Sequence, residues 1–298
     1  MKTPKYLSIL SLAVVGALYG ATPALATPIL GSDLASFTVL GASTVTNVPT
    51  NTIVGNVGVY AGSAITGFNS SPGVAVSDPQ VTSGLVHTTT ALAQSAQSQL
   101  TAAITNLGSL GSGTFLAADL TLSGTLSPGV YTVPAGTTNL SGVLTLDGQG
   151  NANAVWIFQM PTTLITSPNS VVNVINTGSG AGVYWNVGSS ATIDTNTTFL
   201  GNILALTSIT MNSTATDLCG RALASTGAVT LIQNSLSGIC TDIPPNSGGL
   251  SGGLDVTTTS SGATQVAFLP YASVPEPATL ALLGLGLVGL GFSRPWHG

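Results

Sequence analysis

The chain has 298 residues, only 4% of them charged, with 4 Lys and Arg against 9 Asp and Glu and a formal net charge of −5. A typical globular protein carries roughly 25% charged residues, so a conventional charged surface is excluded. So is a nucleic-acid binder, which needs Lys and Arg to neutralise phosphate. With 44% hydrophobic residues and 37 Gly, disorder driven by high charge and low hydrophobicity is excluded too, and the surface is left to Ser, Thr, Asn, Gly and Ala.

Taken in chain order, Lys2 and Lys5 precede an apolar run from Leu7 to Leu18, and Ala24-Leu25-Ala26 is a small-x-small site. This predicts a secretory signal peptide over 1–26 and a mature chain starting at Thr27. The folded unit is expected over 27–243. Within it, Asp78 followed by Pro79 offers an N-cap and a first helical position. Leu85, Leu92, Ala96, Leu100, Ala103, Ile104 and Leu107 mostly recur at helical spacing, and Gly108 stops them. One amphipathic helix is therefore expected over about 79–107, laid along the flank of the remaining structure. His87 falls at its start and reads as an ordinary polar helix residue.

The rest repeats with a period of about 18–20 residues. Val187 to Gly201, Ala205 to Gly220 and Gly227 to Ile232 align, and Val143–Leu146 and Leu164–Thr166 are looser copies. Short alternating strands with Gly and Asn corners at such a period point to an all-β fold, a β-solenoid. The repeat also lines up polar side chains. The favoured column holds Ser167, Ser170, Thr195, Thr197, Thr198, Ser213, Thr214, Thr216 and Asn234, with Ser235 beside the last. An alternative column holds Thr145, Thr192, Thr210 and Thr230. Stacked strands lie about 4.7–4.9 Å apart, close to repeat distances in ice. Rows of hydroxyls and methyls on a rigid, nearly uncharged scaffold can therefore order water into an ice-like layer, and many weak contacts made together hold firmly.

Catalytic chemistry finds little support. Between 28 and 243 there are seven Asp, no Glu, no Lys, one Arg (Arg221) and one His. Asp147 and Asp194 stand at neighbouring corner positions of the repeat and read as turn caps rather than as an acid pair. Asp147-Gly148-Gln149-Gly150 lacks the repeated acidic ligands of a calcium loop. No cofactor, metal site or enzymatic activity is expected. Cys219 and Cys240, in an exported chain, are expected to form a disulfide.

Residues 244–273 are rich in Gly, Ser, Thr and Pro and read as a flexible linker. Val274-Pro275-Glu276-Pro277 then precedes an apolar run, Ala278 to Phe292, with Arg294 and His297 behind it. This end, 274–298, resembles the PEP-CTERM sorting signal. The resemblance implies an exosortase-type partner, a transient inner-membrane anchor and the cell surface of a Gram-negative bacterium, or secretion from it. Contact with a membrane is then limited to the terminal segments.

The body carries a second resemblance. Asp33 to Asn47 (DLASFTVLGASTVTN), Gly55-Asn56-Val57-Gly58-Val59, Thr66-Gly67-Phe68, Pro128-Gly129-Val130-Tyr131, Leu144 to Gly150, Ala154 to Gln159 and above all Trp185 to Leu231 are similar, in order, to the microbial ice-binding domain also known as DUF3494. The resemblance implies an irregular right-handed β-solenoid of triangular cross-section with one long helix alongside, and a first segment packed beside late coils. It also implies an ice crystal surface as partner, met through a flat, charge-poor face; the chain is expected to act as a monomer. Thr195-Asn196-Thr197-Thr198 and Ser213-Thr214-Ala215-Thr216 occupy the place of the family's T-A/G-x-T/N motifs without reproducing them cleanly. The alternative is a non-enzymatic structural or adhesive cell-surface protein of the exopolysaccharide matrix. Asp194 discriminates, because a charge in the middle of the face speaks against ice.

Overall fold

The computed structural model describes residues 26–240, 247–259 and 262–274. The expected signal peptide up to Leu25, the Pro275-Glu276-Pro277 motif and the apolar run Ala278 to Phe292 lie outside the described residues.

Alternation is the local cause of the fold. Ala191–Ile193, Ile209–Met211 and Val229–Ile232 each bury apolar residues on both sides of an outward threonine. Strands this short gain burial only by stacking on others like them. Three parallel ladders result. The helix-side ladder runs Thr114–Phe115, Gly129–Thr132, Val155–Met160, Gly182–Val187, the second halves of Thr198–Ala205 and Thr216–Ala224, then Phe37–Gly41, Asn56–Val59 and Val86–Thr88. The threonine ladder runs Thr138–Leu140, Leu164–Thr166, Ala191–Ile193, Ile209–Met211, Val229–Ile232, Thr44–Val48 and Ala64–Thr66. The third ladder starts at Thr125–Leu126 and passes through Val143–Asn151, Val171–Thr177 and the first halves of Thr198–Ala205 and Thr216–Ala224. It ends with Ser235–Ser237, Thr52–Val54 and Val81–Thr82.

The chain visits the ladders in that order on each rung but does not enter the stack at an end. The rung 37–54 docks on the last late rung, 220–237, through Val39↔Ala222, Val45↔Val229 and Thr52↔Ser235. The next rung, 56–82, extends the stack, and a helix then carries the chain back to begin again at Thr114. The return covers eight ladder steps, about 38 Å. The helix Ala91–Gly108 supplies about 27 Å of it at 1.5 Å per residue.

Two apolar layers hold this together. Inside the stack, Tyr131, Phe158, Trp185 and Phe199 follow one another with ring centroids 5.7, 4.2 and 4.9 Å apart. The buried indoles of Trp156 and Trp185 donate to the carbonyls of Leu126 and Leu200 at 3.1 and 3.0 Å. Outside it, the helix buries Ala93, Ala96, Leu100, Ala103 and Leu107 beside Leu40, Ile157, Tyr184, Leu204 and Leu223. Its alanines let it approach closely.

Two expectations are corrected. The helix begins at Ala91, not near residue 79. Asp78 caps a turn instead, accepting from the N–H groups of Gln80 and Asn69 at 2.8 and 2.7 Å. The β-branched stretches that follow pair as strands Val81–Thr82 and Val86–Thr88. Thr90 is the N-cap, its hydroxyl accepting from the Ala93 N–H at 3.2 Å. His87 thus lies in a strand, buried edge-on against Phe37 with centroids 5.3 Å apart. The expected flexible linker is also ordered in large part. Leu254–Thr258 and Thr264–Phe268 form an antiparallel hairpin that pairs with Thr27–Pro28. Cys219 and Cys240 are disulfide-bonded, with Cα atoms 4.8 Å apart.

Candidate functional site

The helix and the C-terminal hairpin cover the helix-side ladder, so the outward sides of the other two are the candidate surfaces. On the threonine ladder the strand register places Asn139, Ile165, Thr192, Thr210, Thr230, Thr46 and Thr66 side by side, one per rung. The last five are consecutive threonines. They span about 19 Å at the usual strand spacing. Among the described residues, none of their five hydroxyls meets a protein partner.

The flanks of this row differ. On one side Ser190 and Ser208 turn their hydroxyls into the stack, accepting from the N–H groups of Ser208 and Ala228 at 3.3 and 3.1 Å. On the other side stand Asp194, Asn212, Ile232 and Val48. The Asn212 amide donates to Asp194 at 2.9 Å and the Thr195 N–H does so at 2.7 Å. Together they hold the Asp194 carboxyl below the usual carboxylate range. The charge sits at the rim of the ladder, tied into the corner, and not in the central row.

The favoured column separates into three environments. Ser167, Thr195, Ser213 and Thr214 lie at the surface of the corner between the threonine and third ladders. Four successive rungs turn there at a left-handed residue, Asn169, Asn196, Thr214 and Gln233, with φ of 63, 57, 62 and 52°. That turn breaks the strand alternation, so the residue after it points inward. Ser170, Thr197 and Asn234 consequently form a buried polar column, and their assignment to an exposed face is corrected. Thr197 meets the Thr166 hydroxyl at 3.0 Å and donates to the Ser167 carbonyl at 3.2 Å. Ser170 donates to the Leu140 and Ser167 carbonyls at 2.7 and 2.6 Å. Asn234 donates to those of Asn212 and Ala215 at 2.7 and 3.0 Å.

Thr198 and Thr216 turn outward again, on the third ladder. They continue a row Val143, Val171, Thr198, Thr216, Ser235 and Thr52. Thr145 is corrected as well. It pairs with Thr125 and Asn173 on the third ladder and does not join Thr192, Thr210 and Thr230. Asp147 and Asp194 lie on different ladders. Asp147 accepts from the Gln149 N–H and from Asn176 at 2.9 and 3.0 Å, and these bonds lower its carboxyl pKa.

Sequence reasoning missed Thr46 and Thr66. The alternation Thr44-Val45-Thr46 and the triplet Ala64-Ile65-Thr66 carry the right local pattern. They lie before the helix, however, and no repeat offset places them beside Thr230.

Comparisons with known proteins agree with this architecture. The ice-binding-like family profile matches residues 39–237, and the PEP-CTERM protein-sorting motif matches 273–294. An ice-binding protein of Nostoc sp. (strain HG1) is 38% identical over 97% of this chain and 94% of its own length. Among solved structures, an ice-binding protein from an Antarctic biological consortium superposes with a TM-score of 0.62 at 30% identity, covering 77% of this chain and 96% of the other. That of the Antarctic ascomycete Antarctomyces psychrotrophicus gives 0.62 at 32% identity, covering 72% and 98%. The chain belongs to the ice-binding-like family.

Proposed function

We propose that the chain is an exported, non-enzymatic ice-binding protein that adsorbs to ice through its threonine ladder. The observation that carries this reading is the unbroken row Thr192, Thr210, Thr230, Thr46 and Thr66, in register, with hydroxyls that meet no partner and on a ladder that no other element covers among the described residues. Each threonine offers a methyl and a hydroxyl at strand spacing, and the nearest charge, Asp194, is engaged at the rim. The scaffold that keeps the row rigid is read as an irregular right-handed β-solenoid of triangular cross-section, acting as a monomer. The third-ladder row with Thr198 and Thr216 is the weaker candidate, because its hydroxyl run is shorter and Ser235 interrupts its threonines.

A structural or adhesive role calls for outward aromatics or grooves at the contact surface. The exposed aromatics Phe115, Phe268 and Tyr271 lie at the far edge of the helix-side ladder and in the C-terminal segment, away from the threonines. The two terminal signals fit export through the inner membrane of a Gram-negative bacterium and processing by an exosortase-type enzyme. The test is ice-affinity partitioning together with inhibition of recrystallisation. A chain left behind in the liquid by growing ice ends the proposal.

A further inference from the structure

Each rung turns three corners. Two adjoin the threonine ladder. The third joins the third ladder to the helix-side strand of the following rung, at Gly150–Asn153, Ala181–Val183, Gly201–Asn202 and Cys219–Arg221. Apart from the excursion into the hairpin 254–268, the described part of the segment after Ser237 follows this corner rung by rung. At the top, Cys240 is bonded to Cys219. Arg221, 3% exposed, donates to the carbonyls of Gly238, Gly248 and Gly249 at 3.1, 3.0 and 3.2 Å. One rung on, Asn202 donates to the Gly249 and Leu250 carbonyls at 3.1 and 2.8 Å. At the next, the Val183 N–H donates to Leu250 at 2.8 Å and the Gly252 N–H to Ala181 at 3.0 Å. One rung further down, the Asn153 amide donates to the Pro270 carbonyl at 2.9 Å. There the Ala152 N–H donates to Ala272 at 2.5 Å and the Val274 N–H to Gly150 at 3.0 Å.

The two Ser-Gly-Gly-Leu repeats that looked like spacer make this docking possible. Leu250 and Leu254 are buried, and the glycines between them let two backbones touch. A Cβ on Gly252 would lie 2.2 Å from the Gly180 carbonyl oxygen.

Val274 is therefore fastened at the one corner that does not adjoin the threonine ladder. Only Pro275-Glu276-Pro277 separate it from Ala278, where the apolar run begins. Four extended residue steps reach about 14 Å, and the two prolines restrict the backbone further. Among the described residues the one Arg and the one His, Arg221 and His87, are both buried and there is no Lys, so no exposed cation draws another side of the body onto anionic lipid.

We infer that a chain anchored in a bilayer by its C-terminal apolar segment stands on this corner, next to the lipid headgroups, and holds its threonine ladder away from the membrane. The orientation follows from the strap. Its use in presenting the ladder to ice rests on the function proposed above.

The test uses the full chain, inserted by its own tail into phosphatidylcholine vesicles that carry a headgroup-attached quencher. A fluorophore is placed on Ser179→Cys, in the exposed loop of the strap corner, or on Thr210→Cys, in the threonine row. The native cysteines are in a disulfide and do not compete for label. Quenching is expected to be several-fold stronger at Ser179 than at Thr210. A flexible Gly-Ser spacer of about 30 residues, spanning about 30 Å, inserted between Val274 and Pro275, is expected to remove the difference. Equal quenching without the spacer, stronger quenching at Thr210, or a difference that survives the spacer overturns the inference. Because the measurement involves no ice, a chain that is oriented but inactive would sink the functional reading and leave this one standing.

Discussion

Thr197 and Thr230 look alike in the sequence and stand in opposite environments, so the same replacement separates fold from function. Valine removes the hydroxyl and keeps the branched shape. At Thr197, fully buried, it deletes the contacts to Thr166 and Ser167 at 3.0 and 3.2 Å and strands the Thr166 hydroxyl proton. A buried polar group left unpaired costs about 1–3 kcal/mol. In a domain of this size each kcal/mol lowers Tm by about 2–4 °C. Thr197→Val should therefore melt about 2–12 °C early and still partition into ice. Thr230 has no protein partner, so Thr230→Val should stay within about 0.5 kcal/mol of the parent. Thr230→Lys should also keep its fold. It sets a strongly hydrated cation in the middle of the row, leaving Thr192 and Thr210 on one side and Thr46 and Thr66 on the other. Since linked contacts multiply affinity by about 10²–10⁴, breaking the row should raise the concentration needed to stop recrystallisation at least about tenfold. Circular dichroism melting and a recrystallisation assay read both outcomes. If Thr230→Lys adsorbs like the parent, or Thr230→Val loses as much stability as Thr197→Val, the assignment of the two threonines is refuted.

The remaining predictions concern the scaffold. Leu254→Ala opens a cavity under the C-terminal hairpin and should cost about 2–5 kcal/mol, with proteolytic cleavage between 247 and 274 appearing well before the rungs are cut. Replacing both Cys219 and Cys240 by Ser removes a crosslink over 21 residues and should cost about 3 kcal/mol, read as a lower denaturant midpoint that reducing agent reproduces in the parent. His87 sets part of the pH dependence. Burial lowers its pKa from 6.5, so the unfolded chain takes up a proton first as pH falls. Its contribution is complete above about pH 6.5 and is lost as pH drops toward the lowered value. The stability difference between the parent and His87→Gln should therefore change between pH 7 and 5, and a flat difference refutes the buried neutral histidine. Asp217 works in the opposite direction. Burial pushes its carboxyl well up, against the pull of the Cys219 N–H and Arg221, which is why the comparison is made against a variant and not read from the parent alone.

The sequence was legible wherever structure follows from neighbours along the chain. Alternation and a period near nineteen residues locate the late rungs, and the row Thr192, Thr210 and Thr230 falls out of the offsets. Cys219 and Cys240 pair, as expected from reading the chain as exported. Legibility fails where direction or order depends on three dimensions. Period-two reasoning cannot tell that Asn196 adopts a left-handed turn, and that single residue decides that Thr197 faces in and Thr198 faces out. The helix start was misread because Asp78-Pro79 is equally good turn chemistry. The Ser-Gly-Gly-Leu repeats have the composition of a spacer, yet two leucines at the right interval are enough to seat them. Above all, no local signal says that a segment read before the helix stacks after residue 237.

That last feature makes the proposed surface a product of the whole fold. Thr192, Thr210 and Thr230 come from the late rungs and Thr46 and Thr66 from the early ones, so the row exists only when the seam Val229↔Val45 closes. The seam joins residues far apart in the chain, and contacts of that kind pay loop-closure entropy before they are rewarded. Apolar side chains alone do not single out the register, because β-branched residues run on through it, Ile209, Val229, Val45 and Ile65 in turn. Buried amides do the rest. Asn234 takes the Ile232 N–H at 2.6 Å and gives its own backbone N–H to the Asn51 side chain, and Asn47 donates to the Gly67 carbonyl at 2.7 Å. A slip of one residue would turn Thr46 inward and break the Asn234–Asn51 bond, the one of these that crosses the seam, at about 1–3 kcal/mol. Asn234, which the sequence placed among the exposed hydroxyl and amide columns, thus never meets the surface it was assigned to. Its place is beneath the seam, where it sets the alignment that makes five threonines into one row.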